Sequence, residues 1–238
     1  KENMEINFQN IKVIGFDADD TLWVAIITGA GDDAFCSGGD ISVMADAKTD
    51  EDYQMPASGY GGMTNRRSCY KPIIAAVNGM AYGGGFEVAL ACDLIVASSK
   101  ASFGLPEPKI GTAAVAGGMH RLVRQIGMKP AMALLLTADF IDAQRALELH
   151  LINDVVSPED LMTTAKALAK QISHCAPLAI QATKQTVMEG LEYAGTDAAQ
   201  DAQANGKFCR IDAMMKSDDI REGLNAFLEK RRPVWKNK

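Results

Sequence analysis

The sequence predicts an α/β fold, with strands and helices alternating in the first part of the chain and helices dominating the rest. Two continuous apolar runs, Ile73 to Val77 and Leu94 to Ala97, are typical of strands buried on both faces. Between them, the glycines at 83–85 lead directly into the segment 86–91, FEVALA, which we interpret as a short helix. Beyond residue 140, apolar residues recur mostly at helical spacing.

The composition is that of a globular protein with a substantial core. Of the 238 residues, 47% are hydrophobic and 23% are charged. The net charge of −6 leaves no basic excess to neutralise nucleic-acid phosphates, so we expect no nucleic-acid partner. The sequence has no apolar run near the roughly 18 residues of a membrane span and no signal-peptide pattern, which predicts a cytoplasmic protein without membrane contact.

The cysteine spacing indicates neither a metal site nor a disulfide framework and fits reduced thiols. The five cysteines are Cys36, Cys69, Cys92, Cys175 and Cys209.

The later part of the chain is predicted to be mainly helical. His150 follows a predicted helix, Asp142 to Leu149, and we interpret it as the helix-ending residue in preference to a catalytic histidine. Asp142 and Ser157 are the predicted caps of this helix and the next. The other predicted helices are Met119 to Ile126, Lys129 to Leu136, Leu161 to His174, Pro177 to Tyr193 and Asp218 to Lys230.

A short motif near the front resembles another class of enzyme. The apolar run Ile11 to Phe16 is followed by DADDTL, and a strand ending in DxDxT is similar to the first motif of the haloacid-dehalogenase phosphatases. That resemblance implies a phosphoryl-accepting Asp17, an acid/base Asp19 and a Mg²⁺ ion. However, the chain runs on into a second strand at Val24 to Thr28, which leaves no room for that family's following helix. A Mg²⁺-dependent phosphohydrolase is therefore the alternative function.

Two glutamates that follow glycine-bearing turns carry the main chemical signal. Glu87 comes just after Gly84 and Gly85 at a helix start, where backbone N–H groups can stabilise an oxygen that gains negative charge. A second N–H could come from the loop at Gly38 and Gly39. Glu107 lies one strand further along, and paired carboxylates near apolar walls suit proton transfer because burial raises a carboxyl pKa. The polar segment 41–63, read as a short helix and a loop, is the expected entrance.

Four ordered motifs together resemble the crotonase, or enoyl-CoA hydratase, superfamily over about residues 24–238: AFCSGGD, KPIIAAVNGMAYGGGFE, ACDLIVAS and FGLPEPKIG. The resemblance implies a spiral of ββα turns with a C-terminal helical region that forms trimers or hexamers. It also implies an acyl-CoA hydratase or dehydratase, a lyase, acting through an enolate. Coenzyme A would enter as part of the substrate, with no other cofactor and no metal. The details FE and LPEPK are similar to the carnitinyl-CoA dehydratase type.

The resemblance also assigns site residues. Glu87 and Glu107 would be the catalytic acid/base pair, acting at Cβ and Cα respectively, and the N–H groups of Gly39 and Gly84 would form the oxyanion hole. Further residues would contact the substrate: Gly38, Asp40, Gly85 and, from the basic C-terminus, Lys230. Positive charge for the coenzyme A phosphates is expected from Arg66, Arg67 and Lys71 and from the basic C-terminus, which contains Lys230, Arg231, Arg232 and Lys236. A solvated basic end that balances the dipole of the last helix is the equal alternative for any one of these residues.

The predicted organisation has an anomalous N-terminal segment 1–23, a spiral core 24–140 and a helical region 141–238. Members of the superfamily normally carry more residues before the strand at Val24 to Thr28, including a segment that helps to hold coenzyme A. A third hypothesis is therefore a catalytically inactive relative that binds coenzyme A.

Overall fold

The computed structural model describes residues 19–46 and 55–238 and confirms the α/β fold. The strands are β1 Ala25–Thr28, β2 Ala34–Cys36, β3 Ile73–Val77, β4 Met80–Tyr82, β5 Leu94–Ser98, β6 Ser102–Gly104, β7 Phe140–Asp142 and β8 Asp154–Val156. The α-helices are α1 Ile41–Asp46, α2 Gly84–Ala91, α3 Gly118–Ile126, α4 Met128–Thr137, α5 Ala143–Glu148, α6 Leu161–Ser173, α7 Pro177–Gly190, α8 Thr196–Ala204, α9 Cys209–Met215 and α10 Asp218–Leu228.

Strands β1 to β6 alternate between two sheets, and β7 then pairs with β6 in the same sheet. Among the described residues, one sheet has the order β1-β3-β5-β8 and the other the order β2-β4-β6-β7. The pairs β3–β5, β5–β8, β2–β4 and β4–β6 are parallel, and β6–β7 is antiparallel. The chain thus lays one strand in each sheet and follows several of these strand pairs with a helix, as α1 follows β2 and α2 follows β4. This is the predicted repetition of ββα turns.

The core is formed by the strands that the apolar pattern predicts. All five residues of β3 are at most 4% exposed, which explains why that run contains no polar residue. Asn78 ends the run and holds neighbouring backbone: its Oδ1 accepts from the N–H of Gly29 at 3.0 Å, and its Nδ2 donates to the carbonyl oxygen of Ala34 at 3.1 Å. The β3–β4 corner is therefore fixed to the β1–β2 connection by one amide side chain.

The described residues fall into two compact units. The first contains residues 26–46, 55–67 and 73–167, and includes both sheets. The second contains residues 19–25, 68–72 and 168–238. In the second unit, buried Gln185 of α7 accepts from the N–H of Arg210 at 2.8 Å and donates to Glu189 at 3.0 Å, which connects α7 with α9.

Most long helices lie where the sequence predicts them, and the short elements were missed. Asp142 accepts from the N–H of Arg145 and caps α5, and His150 follows that helix at φ 57°, which confirms the helix-ending interpretation. The prediction for Ser157 was wrong in detail, because its hydroxyl closes the turn to Asp160 before α6 begins. We missed β2, β4, β6 and β7, which have three residues each and give too short a pattern, and also α8 and α9.

Candidate active site

The two glutamates follow neighbouring parallel strands. Strand β4 pairs with β6 so that Tyr82 lies opposite Gly104, and the N–H of Gly83 donates to the carbonyl oxygen of Gly104 at 2.9 Å. The chain therefore leaves both strands at the same edge of the sheet. Helix α2 with Glu87 begins after β4, and the turn with Glu107 begins after β6. This common edge brings together residues from two separate motifs.

Glu87 lies in the first turn of α2 and is 3% exposed. Its Oε1 accepts a hydrogen bond of 2.8 Å from the N–H of Gly118, the first residue of α3. The pKa of Glu87 is raised to about 7: burial is the largest cause and the charge of Glu107 adds to it, whereas the backbone N–H groups of Gly118 and Ala116 and the charge of Arg121 oppose the rise. The carboxyl can therefore exchange a proton near neutral pH.

Glu107 begins a 3₁₀ turn, Glu107–Ile110, and its environment differs from that of Glu87. The side chain is half-buried, and its Oε2 is buried with no hydrogen-bond partner among the described residues. A Cβ placed on Gly83 would lie 3.2 Å from its Oε1, so the carboxyl lies over the glycine that precedes α2. Burial raises the pKa of Glu107 as well. The carboxyl of Glu107 is therefore partly shielded from solvent, as a proton-transfer group requires.

The two glycine loops lie against each other. A Cβ on Gly38 would lie 3.2 Å from the carbonyl oxygen of Tyr82 and 3.5 Å from the nitrogen of Gly84, and φ of Gly38 is 98°. In α2, the N–H of Glu87 makes the first bond to Gly83, at 3.0 Å, so the N–H of Gly84 precedes the helical hydrogen bonds. Exposed Gly39 is next to Gly38. The loops predicted to supply the two oxyanion donors are thus adjacent.

Close packing explains the other glycines at the start of α2. A Cβ on Gly85 would overlap the carbonyl oxygen of Cys36, the last residue of β2, so only glycine lets the helix approach this strand. A Cβ on Gly84 would lie 2.6 Å from the ring of Tyr60. The ring of Tyr60 therefore covers the backbone of Gly84 directly.

Three residues of this site were not predicted from the sequence: Gly118, Arg121 and Tyr60. Gly117 precedes α3 and Gly118 begins it, as Gly83 and Gly84 do at α2, and this recurrence was the available signal. Close packing explains Gly118, because a Cβ there would lie 3.0 Å from the side chain of Glu87.

The remaining predicted binding residues have defined positions. Asp40 is exposed and accepts from the N–H and the hydroxyl of Ser42, at 2.9 and 2.6 Å, at the start of α1. Lys230 lies in the second unit, exposed, just after α10 at φ 54°. Lys71 was wrongly expected to face a phosphate, since it is 6% exposed and its Nζ donates to the carbonyl oxygen of Asp19 at 2.7 Å.

Comparison with known proteins decides the family. The model of the family "Enoyl-CoA hydratase/isomerase" matches residues 9–238. The chain belongs to this family. The match begins before residue 24, where we expected the resemblance to start, and it includes the segment with the phosphatase-like motif. Asp17 lies outside the described residues, and Asp19 Oδ1 accepts from the N–H and the hydroxyl of Thr21.

Similar relatives and structures agree with the family. A carnitinyl-CoA dehydratase of Proteus mirabilis is 39% identical over 223 residues, covering 94% of this chain and 85% of the relative. A mevalonyl-coenzyme A hydratase of Aspergillus fumigatus is 40% identical, covering 93% and 80%. The crystal structure of an enoyl-CoA hydratase from Bacillus anthracis superimposes with a TM-score of 0.85 at 32% identity, covering 93% and 84%. The crystal structure of an enoyl-CoA hydratase from Mycobacterium tuberculosis superimposes with a TM-score of 0.82 at 39% identity, covering 93% of this chain and 84% of that one.

The described residues contain neither a cluster suited to a metal ion nor a helix suited to crossing a membrane. Within residues 19–46 and 55–238, no group of three or more histidine, cysteine, aspartate or glutamate side chains is arranged to hold a metal ion. In the same ranges, no helix combines the length and the apolar character that crossing a membrane requires. The expected lack of a cofactor stays a prediction.

Proposed function

We propose that this chain adds water to, or removes water from, the α,β double bond of an acyl-CoA thioester. The observation that carries the proposal is a pair of carboxyls at one sheet edge, buried Glu87 and half-buried Glu107, both with a raised pKa and both beside the glycine loops. Membership of the enoyl-CoA hydratase/isomerase family supports the same chemistry. The dehydratase and hydratase named above act in their own cases on carnitinyl-CoA and mevalonyl-CoA.

In the hydration direction, ionised Glu87 takes a proton from water, and the water oxygen forms a bond to Cβ of the substrate. The electron pair of the double bond moves to the thioester oxygen as an enolate, which the N–H groups of Gly39 and Gly84 stabilise. Neutral Glu107 then gives its proton to Cα as the enolate collapses. Burial suits the acid role of Glu107, because it keeps a carboxyl protonated at a pH where an exposed one is ionised, and a pKa of about 7 leaves Glu87 partly ionised near neutral pH. Dehydration reverses each step.

Several accompanying properties belong to the same proposal. Coenzyme A enters as part of the substrate, and its phosphates require positive side chains, for which Arg66, Arg67 and Lys230 are the candidates. We further propose a cytoplasmic enzyme of acyl-CoA or fatty acid metabolism that assembles as a homotrimer or hexamer. The free cysteines fit a reducing compartment, since Cys36, Cys69 and Cys92 are buried as thiols.

The test is hydration of crotonyl-CoA, followed by loss of the enoyl thioester absorbance. We expect Glu87→Gln and Glu107→Gln each to lower kcat by about 10²- to 10⁴-fold, because each removes a proton-transfer group and keeps the side-chain shape. The matched control is Glu148→Gln on α5, where the exposed carboxylate contacts only the exposed Arg145 at 2.9 Å among the ion pairs of the described residues.

Two outcomes would contradict the proposal. Full turnover in either glutamine variant would remove the acid/base assignment. Tight coenzyme A binding by the wild-type chain without turnover of any enoyl-CoA, tested with carnitinyl-CoA and mevalonyl-CoA dehydration as well, would favour the inactive relative.

A further inference from the structure

One half-buried cation connects the segment that binds Glu87 with a turn that covers the start of α2. The guanidinium of Arg121, on α3, donates from Nη2 to the carbonyl oxygen of Thr64 at 2.6 Å and from Nη1 to that of Ala116 at 3.5 Å. A Cβ on Gly117, where φ is 104°, would overlap Nη1, so the guanidinium lies directly on the backbone of Gly117. Burial lowers the pKa of Arg121, and the negative charge of Glu87 opposes this.

The first segment, residues 116–118, holds Glu87 in place. The N–H of Gly118 donates to Glu87 Oε1 at 2.8 Å. Because Arg121 binds the carbonyl oxygen of Ala116, it holds the same peptide segment from its other side. A change at Arg121 can therefore reach Glu87 in two ways, through this segment and through the loss of the nearby positive charge.

The second segment, residues 59–64, is here named the Tyr60 turn. Its backbone adopts positive φ at Gly59, Gly61 and Gly62, and the N–H groups of Met63 and Thr64 close it by donating to the carbonyl oxygen of Tyr60 at 3.0 and 3.2 Å. Thr64 is 3% exposed, and its hydroxyl oxygen accepts from the N–H of Tyr60 at 2.8 Å. The bond from Arg121 to the Thr64 carbonyl thus anchors the end of the turn that places the Tyr60 ring on Gly84.

We propose that Arg121 is a positioning residue that fixes the acid/base carboxyl of Glu87 and the Tyr60 turn in register with each other. Arginine suits this task because its planar fork donates to two carbonyl oxygens at once and its charge is retained when buried. Three further titratable or charged groups act on Arg121 and Glu87. The charge of Glu107 acts on Glu87, and those of Cys92 and Arg67 act on Arg121. This inference rests on the proposed hydration chemistry.

The experiment compares Arg121→Met and Arg121→Lys with Arg124→Met. Arg124 lies one turn further along α3, is exposed, and donates within its own helix to the carbonyl oxygen of His120 at 3.1 Å. For Arg121→Met we expect kcat to fall about 10- to 100-fold, since small displacements of a catalytic group are costly. We also expect the acid limb of kcat/KM to move to higher pH, because the lost positive charge favoured ionised Glu87.

Arg121→Lys separates charge from geometry. It retains the charge and loses the fork, so we expect kcat to fall while the acid limb stays near its wild-type position. Arg124→Met should match the wild type in both readouts. A merely structural role for Arg121 would lower stability without moving the pH profile. An unmoved acid limb in Arg121→Met would therefore overturn the inference.

If Arg121→Met fails to fold, Arg121→Lys carries the test, and a kcat equal to that of Arg124→Met overturns the inference. A wrong assignment of the acid/base pair gives a different result, because Glu87→Gln and Glu107→Gln would then hydrate crotonyl-CoA as fast as the wild type. Inactive glutamine variants together with unaffected Arg121 variants would remove only the positioning role.

Discussion

The segments that carry Glu87 and Glu107 start alike and end differently. Each follows one of two paired parallel strands, but Glu87 continues into a buried α-helix and is bound by Gly118, whereas Glu107 enters a short 3₁₀ turn with Oε2 unpaired. A bound carboxyl keeps one orientation, whereas a buried oxygen with no protein partner among the described residues is left to bond with substrate or water. Glu87 is thus positioned by the protein, and Glu107 Oε2 is available to other partners.

Removing both carboxyls gives the largest expected effect. Each single variant is expected to lose about 10²- to 10⁴-fold in kcat. If the two carboxyls act as one unit, the double variant Glu87→Gln/Glu107→Gln should lose little more activity than either single variant. Crotonyl-CoA turnover of the three variants at one pH measures this. Losses that multiply in full would instead show two independent contributions.

The free energy of unfolding should depend on pH through Glu87. Its pKa rises from 4.5 to about 7 on folding, so its favourable contribution is complete below about pH 4.5 and is lost as the pH rises through 7. Between pH 5 and 8 the wild type should therefore lose up to about 3 kcal/mol relative to Glu87→Gln. Urea unfolding at both pH values measures this difference.

Glu107→Gln should remove a second pH dependence of the same sign, because burial raises that pKa too. The exposed variant Glu148→Gln serves as the control and should follow the wild type. If the free energy of unfolding changed with pH in the same way for the wild type and for Glu87→Gln, Glu87 would not be buried as a neutral acid.

Two glycines with positive φ test how closely the segments depend on each other. Gly83→Ala and Gly111→Ala should each cost about 1–2 kcal/mol of stability, because φ is 54° and 81°. Only the Gly83 variant should also lose activity, since its Cβ would lie 3.2 Å from Glu107 Oε1, whereas Gly111 has open space. Thermal unfolding and turnover of the pair measure both effects, and equal activity would contradict the contact.

The smallest effect concerns the proline before Glu107. Pro106 precedes the 3₁₀ turn, and Pro106→Ala should cost about 0.4–1 kcal/mol by freeing the unfolded chain. The same change at Pro158, before α6, should cost a similar amount. Turnover should fall slightly for Pro106→Ala alone, because the turn that presents Glu107 becomes less rigid. Crotonyl-CoA turnover by Pro106→Ala and Pro158→Ala, compared in a stopped assay at equal folded fraction, measures this difference.

The sequence predicted the parts of the site that adjoin their own glycine motifs. Glu87, Glu107 and Gly84 were found because each follows a strand and a turn within a few residues. Gly118 and Arg121 were missed because their contacts are distant in sequence: 31 positions separate Gly118 from Glu87, and 57 separate Arg121 from Thr64. Periodicity reports local structure and gives no information on such pairs.

The same limit applies to the fold. Strand β3 was predicted because it is fully buried, so its residues are all apolar. Strands β4 and β6 position both glutamates, yet each has three residues of mixed exposure and therefore no readable alternation. Pairing between them, and not propensity, makes these residues strands.

The alignment of Tyr82 with Gly104 is made by main-chain hydrogen bonds, so it does not depend on which side chains the strands carry. The relative placement of the segments that carry Glu87 and Glu107 is consequently set by the backbone of β4 and β6. Side-chain changes on these two strands that leave their pairing intact should therefore leave the reaction chemistry unchanged, which makes the strands a durable frame for the site.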